Sequence, residues 1–397
     1  MASSALVMLE NKSSDPSNGS AVNSEKRDGA EPASQTEFRE KIKIIGVGGG
    51  GNNALSHIIR TGATGVEFLA INTDSSCLEK CLSVEKLMLG ERITKGLGAG
   101  ARPEIGEQAA LESRDELRTC LRGCDMAFFA AGMGGGTGTG ALPIIAGIAK
   151  EMGILTVAVV TRPFTFEGKR RKNFAEIGIE KLKQVVDALI VVPNDKLLEI
   201  SERTTSLTDA FATADNILRQ AVQGVTDLVT KPGIINVDFA DLRSIMKHAG
   251  GAVMGIGIGT GDHRADEALR RAMESPLMEY SIDGAKGVIL NVTASSNVGI
   301  MEVEDAANRL QSQIDEDANF IWGLAYDDNM QEEVQMVVIA TGFDLPSSRS
   351  RETLDKEKKR LPRTKESSGT QQDVLFSVES PLDVPSYLRR RQQRQDK

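Results

Sequence analysis

A glycine loop at residues 131–140 constrains this chain more than any other stretch, because six of its ten residues are glycine and two are threonine. The apolar run 126–131 before it predicts a buried strand, and residues 141–149 after it predict a helix with Pro143 in its first turn. Glycines let the backbone approach a ligand closely, and a helix N-terminus presents free N–H groups. This order is therefore typical of an anion site rather than of a flexible linker, which does not join a buried strand to an apolar helix.

Two other segments of the chain repeat this order of strand, glycine loop and helix. A strand predicted over residues 41–47 leads into the glycines 48–51 and a helix to about Arg60, and the loop 95–103 leads into a helix predicted over 105–121. Further strands are predicted over residues 66–72, 154–161 and 187–192. In a doubly wound parallel sheet such loops gather at one edge, where ligands bind, and three glycine loops suit a polyphosphate.

The first glycine loop also supports a competing hypothesis. Residues 46–51 satisfy Gly-x-Gly-x-x-Gly, and Asp74 follows the second predicted strand, as in dinucleotide-dependent dehydrogenases. A dehydrogenase does not need the second, denser glycine loop, and the chain offers no obvious hydride-transfer pair downstream. A Walker A pattern does not occur in the sequence. The dinucleotide-dependent oxidoreductase stays as the alternative.

An uninterrupted helical pattern covers residues 207–229, where apolar positions step by three and four. Such a helix spans roughly 30 Å, the length of a strut between two domains. Near its start Phe211 packs in a core or stacks on a base, and in the second case Asp215 accepts from the edge of that base. A smaller mixed α/β domain follows, with strands near 252–259, 288–293, 320–326 and 334–341 and helices near 266–273 and 302–314.

Two groups of charged residues have both a structural and a functional interpretation. Asp238 and Asp241 come soon after the long helix, together with Asn236. Acids at a helix start complement the helix dipole, but paired acids also orient and polarise a water molecule. Glu167 and Arg171 share a helix face, so they either form a surface ion pair or contact a ribose hydroxyl and a phosphate.

Composition limits the remaining classes of protein. The net charge of −9 argues against general nucleic-acid binding, and no segment reaches transmembrane length. The cysteines form two pairs, 77/81 and 120/124, without a histidine at ligand spacing, which favours reduced thiols over zinc. Residues 1–40 and 344–373 have little to bury and are predicted to be disordered, with an organelle transit peptide as the alternative for the first. Residues 374–397 combine apolar anchors with a basic run, as docking peptides do.

Taken in order, these motifs resemble those of the FtsZ family, the tubulin-like GTPases of bacterial cell division. Residues 134–140 resemble the family's glycine signature, and residues 48–53 resemble its first phosphate loop. Further matches in order and spacing are residues 72–74, 98–100, 166–171, 193–198 and 236–241. The tail resembles the family's docking motif, with Val384, Ser386 and Tyr387 as mild variations. The resemblance covers about residues 41–343 and the tail.

This resemblance implies a tubulin-like α/β fold. A GTP-binding domain with a doubly wound parallel sheet is expected over residues 41–205, a central helix over 206–230 and a smaller α/β domain with the catalytic acid loop over 231–343. A disordered linker over 344–373 and a docking peptide over 374–397 complete the expected arrangement.

The resemblance also implies roles for individual residues. Asn236, Asp238 and Asp241 would act in trans, in the nucleotide pocket of the next subunit of a head-to-tail filament. The residues expected to bind GTP or GDP are Gly49, Gly50, Gly51, Asn52, Asn53, Asn72, Asp74, Gly134, Gly135, Gly136, Thr137, Gly138, Glu167, Arg171, Asn194, Phe211 and Asp215. Mg²⁺ is implied by phosphoryl-transfer chemistry, without protein side chains assigned as its ligands.

The expected partners are the chain itself and membrane-tethering division adaptors, with neither nucleic-acid binding nor direct membrane insertion. The residues expected to bind adaptors are Pro381, Leu382, Asp383, Val384, Pro385, Tyr387, Leu388 and Arg389. The protein is expected in the cytoplasm, as a ring at the division site under the membrane. A nucleotide-binding homologue that does not hydrolyse GTP is the remaining alternative, which the intact acid loop disfavours.

Overall fold

The computed structural model describes residues 40–199, 205–230, 237–275, 277–278, 281–327 and 330–343. All of the described residues belong to one compact unit of the chain, which ends at Phe343. Four of the predictions above lie outside the described residues. They concern the N-terminal segment before Glu40, the linker 344–373, the docking peptide 374–397 and Asn236.

Ten strands of the described residues form one sheet. They are β1 Ile42–Val47, β2 Glu67–Asn72, β3 Glu85–Met88, β4 Met126–Gly132, β5 Leu155–Arg162, β6 Ala188–Pro193, β7 Gly250–Thr260, β8 Gly287–Ala294, β9 Asn319–Tyr326 and β10 Glu333–Phe343. Their order across the sheet is β3-β2-β1-β4-β5-β6-β7-β10-β8-β9.

Helices connect these strands. They are α1 Gly48–Arg60, α2 Ser75–Lys80, α3 Glu91–Thr94, α4 Pro103–Glu112, α5 Arg114–Cys120, α6 Thr137–Glu151, α7 Lys169–Lys183, α8 Asn194–Glu199, α9 Leu207–Thr230, α10 Phe239–Met246, α11 Arg264–Met273 and α12 Ile300–Gln311, with a 3₁₀ turn at Thr165–Glu167. No helix in the described part of the chain is both long enough and apolar enough to cross a membrane.

The sheet is parallel from β3 through β7, as the alternation of strands and helices predicts. The order β3-β2-β1-β4-β5-β6 is that of a doubly wound fold. Strands are added toward one edge of the sheet from β1 to β3 and toward the other edge from β4 onward, so the strand order reverses between β1 and β4. Beyond β7 the sheet is mixed, because β10 runs antiparallel to both β7 and β8 while β9 is parallel to β8. The sheet is therefore continuous from the first half of the chain into the second.

The central strands are apolar throughout because both faces of the sheet are covered. Ile44 and Phe128 point into a core under α1 and α9, whereas their neighbours Ile45 and Phe129 point into a core under α4, α5, α6 and α7. A third core lies between the last strands and the helices α11 and α12. This alternation explains why β1 and β4 appear in the sequence as unbroken apolar runs.

Two predictions about helices were wrong. The helix after the central glycine loop begins at Thr137, so Pro143 lies in its second turn, where it removes the N–H that the Thr139 carbonyl would otherwise accept. The helix predicted over residues 105–121 is two helices, α4 and α5. The chain bends between them at Ser113, whose hydroxyl accepts a hydrogen bond from the Gly90 N–H at 3.1 Å.

Candidate functional site

A cavity of about 440 Å³ opens at the carboxyl ends of β1, β4, β5 and β6, where the doubly wound order reverses. The residues predicted to bind nucleotide that line it are Gly49, Gly50, Asn53, Gly135, Gly136, Thr137, Gly138, Glu167, Arg171, Asn194, Phe211 and Asp215. The topology thus gathers residues that are up to 166 positions apart, from Gly49 to Asp215, around one space. This is the edge at which the sequence predicts the ligand.

The other predicted binding residues lie behind this lining. Gly51 packs α1 against β4 so closely that a Cβ atom would lie 2.1 Å from the Ala130 carbonyl oxygen, and Asn52 is buried beside it. The Asn72 side chain accepts from the backbone N–H of Thr73, and Asp74 caps α2 by accepting from the Cys77 N–H. Gly134 donates its N–H to the Thr139 hydroxyl at 2.8 Å. All five support the walls of the cavity rather than lining it.

Two helix N-termini meet at one end of the cavity. A Cβ atom on Gly48, in the first turn of α1, would lie 3.0 Å from the backbone nitrogen of Gly138, in the first turn of α6. The N–H groups of a first turn have no acceptor within their helix. Among the described residues, the N–H groups of Gly135 and Gly136 also donate to no backbone carbonyl. Free donors and two positive helix ends make this end of the cavity suitable for a polyanion.

The glycines of this end have two distinct functions. Cβ atoms on Gly49 and Gly135 would meet nothing within 4 Å, so a side chain there would enter the cavity. A Cβ atom on Gly140 would instead lie 1.9 Å from the Pro103 carbonyl oxygen, because α4 packs directly on α6. Glycine thus leaves space for a ligand at the first two positions and permits close helix packing at the third.

The opposite end of the cavity is aromatic and partly apolar. Phe211 stands edge-on to Phe164 at 5.3 Å between ring centroids, and Phe164 stacks on Phe166 at 4.9 Å. Phe211 is 40% exposed and lines the cavity, so the structure leaves one of its surfaces available for stacking. The hypothesis that this residue contacts a planar base fits its position.

Two polar side chains accompany Phe211. Burial raises the pKa of Asp215 from its ordinary value of 3.8 to about 6, because desolvation disfavours the charged carboxylate. The Asn194 Oδ1 atom is buried without a hydrogen-bond partner in the described chain. Both residues line the cavity, and an amide oxygen without a partner together with a desolvated carboxylate provides acceptors for N–H groups of a ligand.

Glu167 and Arg171 form the ion pair that their spacing predicts, and both side chains line the cavity. The Arg171 guanidinium donates to the Glu167 carboxylate, which also accepts from the Phe164 N–H at 2.9 Å. The Arg171 side chain is 49% exposed, whereas that of Glu167 is 11% exposed. The carboxylate is thus held in place, and the half-exposed guanidinium has further N–H donors.

The predicted catalytic acids do not line this cavity. Asp238 and Asp241 are exposed at the start of α10, and Arg243 of the same helix donates to the carbonyl of Gly153, which precedes β5. The long helix α9 ends beside Gly65, which precedes β2, since a Cβ atom there would lie 3.2 Å from the Thr230 Cβ. The Arg243 contact places α10 at the amino edge of the sheet, and the Gly65 contact places the end of α9 there as well. The cavity is at the opposite, carboxyl edge.

Sequence reasoning missed several residues of the lining, which are Gly132, Met133, Thr161, Pro163, Ala214 and Leu218. Helical spacing would have found two of them, because Ala214 and Leu218 lie three residues from Phe211 and from Asp215, respectively. Thr161 and Pro163 surround the end of β5, which the rule on carboxyl ends also identifies.

Among the described residues, no three histidine, cysteine, aspartate or glutamate side chains are grouped as a metal site would require, and all four cysteines are free thiols. Burial raises the pKa of Cys124 to about 11, so this thiol stays protonated at neutral pH.

Comparison with known proteins identifies the family and the fold. The chain matches the Tubulin/FtsZ family, GTPase domain, over residues 41–202 and the FtsZ family, C-terminal domain, over residues 250–344. The structure of an empty FtsZ dimer from M. jannaschii is 42% identical to it, with a TM-score of 0.76, and the match covers 78% of this chain and 90% of that one. A tryptophan-to-tyrosine mutant of FtsZ from the same organism matches with 42% identity, a TM-score of 0.75, and 77% and 91% coverage.

A more distant structure supports the fold alone. CetZ2 from Haloferax volcanii, in a GTPgS-bound protofilament, is 20% identical, with a TM-score of 0.65 and coverage of 80% of this chain and 99% of that one. The tubulin-like α/β fold is therefore confirmed, and a GTPase replaces the dinucleotide-dependent oxidoreductase. With its glycine cradle at the carboxyl edge of a doubly wound sheet, this chain belongs to the FtsZ family of tubulin-like GTPases.

Proposed function

We propose that this protein hydrolyses GTP between two copies of itself, joined head to tail in a filament. The observation that carries the proposal is the separation of two functional groups within one chain. The cavity lies at the carboxyl edge of the sheet, while Asp238 and Asp241 are exposed at the amino edge. The helix α9 that links these edges has 24 residues, or about 36 Å of length. A single molecule therefore does not bring its acids to its own nucleotide.

The two ends of the cavity set the orientation of the nucleotide in this proposal. The free N–H groups of the two glycine loops bind the phosphates, and Arg171 neutralises further charge. Phe211 stacks on the guanine, whose N1–H and amino group donate to the Asp215 carboxylate, while Asn194 also contacts the base. Mg²⁺, when bound, would offset part of the charge of the phosphates, with phosphate oxygens and water as most of its ligands.

The acids act on water in the proposed reaction. A carboxylate at the γ-phosphate accepts a hydrogen bond from the attacking water and orients it in line with the bond that breaks. Asp238 and Asp241 supply this acceptor from the next molecule, together with Asn236, which lies outside the described residues. Hydrolysis then requires contact between molecules, because either one alone holds half of the active site.

Head-to-tail contact of this kind joins two different surfaces, so it continues into an open filament rather than closing into a dimer. The FtsZ structure from M. jannaschii is a dimer and the CetZ2 structure is a protofilament, which supports self-association of this chain. At the carboxyl edge, Leu97, Phe166 and Leu207 are 82%, 55% and 61% exposed. Large apolar side chains around the cavity mouth favour a second molecule at this edge.

The filament acts, in this proposal, as the ring that divides a cell or plastid, in the cytoplasm and beneath the membrane. Residues 381–389 bind membrane-tethering adaptors. Deletion of residues 374–397 is expected to abolish adaptor binding and to leave polymerisation in solution unchanged. Loss of polymerisation in that variant would contradict the separate role of the tail.

The dependence of the GTPase rate on protein concentration tests hydrolysis between molecules. We expect the rate per molecule to rise with concentration and the protein to sediment with GTP but not with GDP. A rate per molecule that stays constant down to the lowest concentrations would contradict the proposal. Nucleotide binding without measurable turnover at any concentration would instead favour the non-hydrolysing homologue.

A further inference from the structure

The hydroxyl groups of Thr73 and Thr137 lie 2.7 Å apart, which is a hydrogen-bond distance for two oxygen atoms. Thr137 begins α6 and lines the cavity. Thr73 follows β2, is completely buried and does not line the cavity. One hydroxyl is therefore within reach of a ligand, and the other stands behind it.

The backbone of Thr73 is fixed independently of this contact. Its N–H donates to the Asn72 side-chain oxygen at 2.8 Å. Its carbonyl accepts from the Gly98 N–H at 3.0 Å and from the Thr94 hydroxyl at 3.2 Å. These three bonds hold the loop after β2, so the position of the Thr73 hydroxyl is set before any ligand binds.

The Thr137 hydroxyl has no comparable support. A threonine side chain has several staggered χ1 rotamers, and a contact is needed to select one of them. Thr137 is the first residue of its helix, and Gly136 before it has no side chain to fix the turn. The contact with Thr73 selects the rotamer that places the Thr137 oxygen between the buried loop and the cavity.

We propose that Thr73 is a positioning residue for phosphate binding, whose buried hydroxyl donates to the Thr137 oxygen and directs the Thr137 proton to a phosphate oxygen. Once a phosphate oxygen accepts from Thr137, the hydrogen bond between the two threonines can be donated only by Thr73. A phosphate oxygen accepts, so Thr137 uses its single proton on the ligand, and the proton between the two threonines comes from Thr73. Hydrogen bonds in such a chain polarise one another, which strengthens the outer bond to the anion.

The inference rests on the proposed function, since it takes the ligand of the cavity to be the phosphate group of a guanine nucleotide. A hydrogen bond to a charged group contributes more than one between neutral groups, and its loss lowers affinity by about tenfold. Thr73 touches no ligand, so any effect of its hydroxyl on affinity passes through Thr137.

The experiment measures GDP affinity by calorimetry and the melting temperature for variants of the full chain. Thr73→Val removes the hydroxyl at nearly constant shape, and Thr73→Ala serves the same purpose if the valine variant does not fold. Thr73→Ser keeps the hydroxyl. Thr341→Val is the matched control, because it removes another buried threonine hydroxyl, which donates to the Gly287 carbonyl and does not line the cavity.

We expect Thr73→Val to weaken GDP binding about tenfold, Thr73→Ser to restore it, and Thr341→Val to leave it unchanged even where it lowers the melting temperature. In a Thr137→Val background, Thr73→Val is expected to have no further effect, because coupled residues are not additive. Wild-type affinity in Thr73→Val, equal weakening in Thr341→Val, or additive effects of Thr73→Val and Thr137→Val would each overturn the proposal. A wild-type protein that does not bind GDP would reject the proposed function itself.

Discussion

The Oδ1 atom of Asp238 accepts a hydrogen bond from the backbone N–H of Asp241 at 2.7 Å, so the first acid caps the helix that carries the second. Both side chains are exposed. No hydrogen bond or ion pair between described residues engages the Asp241 carboxylate. One acid therefore caps the helix in addition to its proposed chemical role, while the other makes no such hydrogen bond.

Because only Asp238 caps the helix, substitutions at the two acids are expected to change the free energy of unfolding by different amounts. Asp238→Ala is expected to lower the free energy of unfolding by about 1 kcal/mol through loss of the cap, whereas Asp241→Ala loses only the weaker interaction of a first-turn acid with the helix dipole and is expected to lower it by less. Asp238→Asn keeps the cap and removes only the charge. All three variants are expected to lose GTP hydrolysis and to retain GDP binding.

Scanning calorimetry and phosphate release measure the two properties in the same preparations. Equal melting temperatures for Asp238→Ala and wild type would contradict the capping role. Full turnover in Asp238→Asn would contradict the chemical role, because the amide keeps the geometry of the carboxylate without its charge.

A second prediction distinguishes the ligand-facing glycines from the packing glycines. Gly135→Ala places a methyl group in open space inside the cavity, so we expect GTP affinity to fall by at least about tenfold while the melting temperature stays within about 1 °C of wild type. Gly140→Ala is the control, because its methyl group would meet the Pro103 carbonyl at 1.9 Å and overpack the contact between α4 and α6. We expect it to lower stability by about 3 kcal/mol. An unstable Gly135→Ala variant would contradict the assignment of that glycine to the ligand.

A third prediction concerns pH. The folded chain raises the pKa of Asp215 from 3.8 to about 6, so it binds this proton more tightly than the unfolded chain does. The contribution of Asp215 to stability of the empty protein therefore decreases as pH rises from about 4 to about 6. Guanine binding requires the carboxylate, so GDP affinity is expected to fall as pH decreases below about 6.

Calorimetry in buffers of different ionisation enthalpy measures the proton that Asp215 releases on binding. The phosphates of GDP titrate in the same range, and Asp215→Asn is the control that leaves only their contribution. Equal proton release in wild type and Asp215→Asn would show that Asp215 does not contact the nucleotide.

The same variant tests which edge of the base is recognised. Xanthine carries an oxygen where guanine carries an amino group, and an amide N–H₂ donates to that oxygen whereas a carboxylate does not. We expect Asp215→Asn to bind GDP at least about tenfold more weakly than wild type and to prefer xanthosine diphosphate. Phe211→Leu, which keeps Asp215, is expected to weaken both nucleotides equally. Unchanged preference for GDP in Asp215→Asn would contradict the proposed contact.

The sequence predicts the carboxyl-edge part of the site well, because glycine loops after apolar strands follow a simple rule of parallel sheets. Gly49, Gly135 and Gly138 line the cavity as that rule requires. The same pattern does not separate lining from supporting residues: Gly51 and Gly134 lie in the same loops but serve the packing of α1 and a bond to Thr139. The direction of each side chain depends on contacts made by distant strands.

The second half of the chain was harder to predict for a different reason. β7 contains Gly255, Gly257 and Gly259, where Cβ atoms would lie 2.0, 2.0 and 1.9 Å from carbonyl oxygens of α11. Alternating glycines in a strand indicate the close approach of another backbone, but they do not indicate which helix approaches. The short strand β3, Glu85–Met88, has no apolar period of its own and was not predicted. The bounds of α10 were not predicted either, although Phe239, Leu242 and Ile245 follow helical spacing.

Mixing two inactive variants tests the central claim most directly. Asp241→Ala keeps an intact cavity, and Gly135→Leu keeps intact acids while its side chain fills the cavity. In a mixed filament a junction between the cavity of the first and the acids of the second is complete. We predict that an equimolar mixture hydrolyses GTP at up to about a quarter of the wild-type rate, although neither variant does so alone. A mixture that sediments with GTP but stays inactive would contradict hydrolysis between molecules.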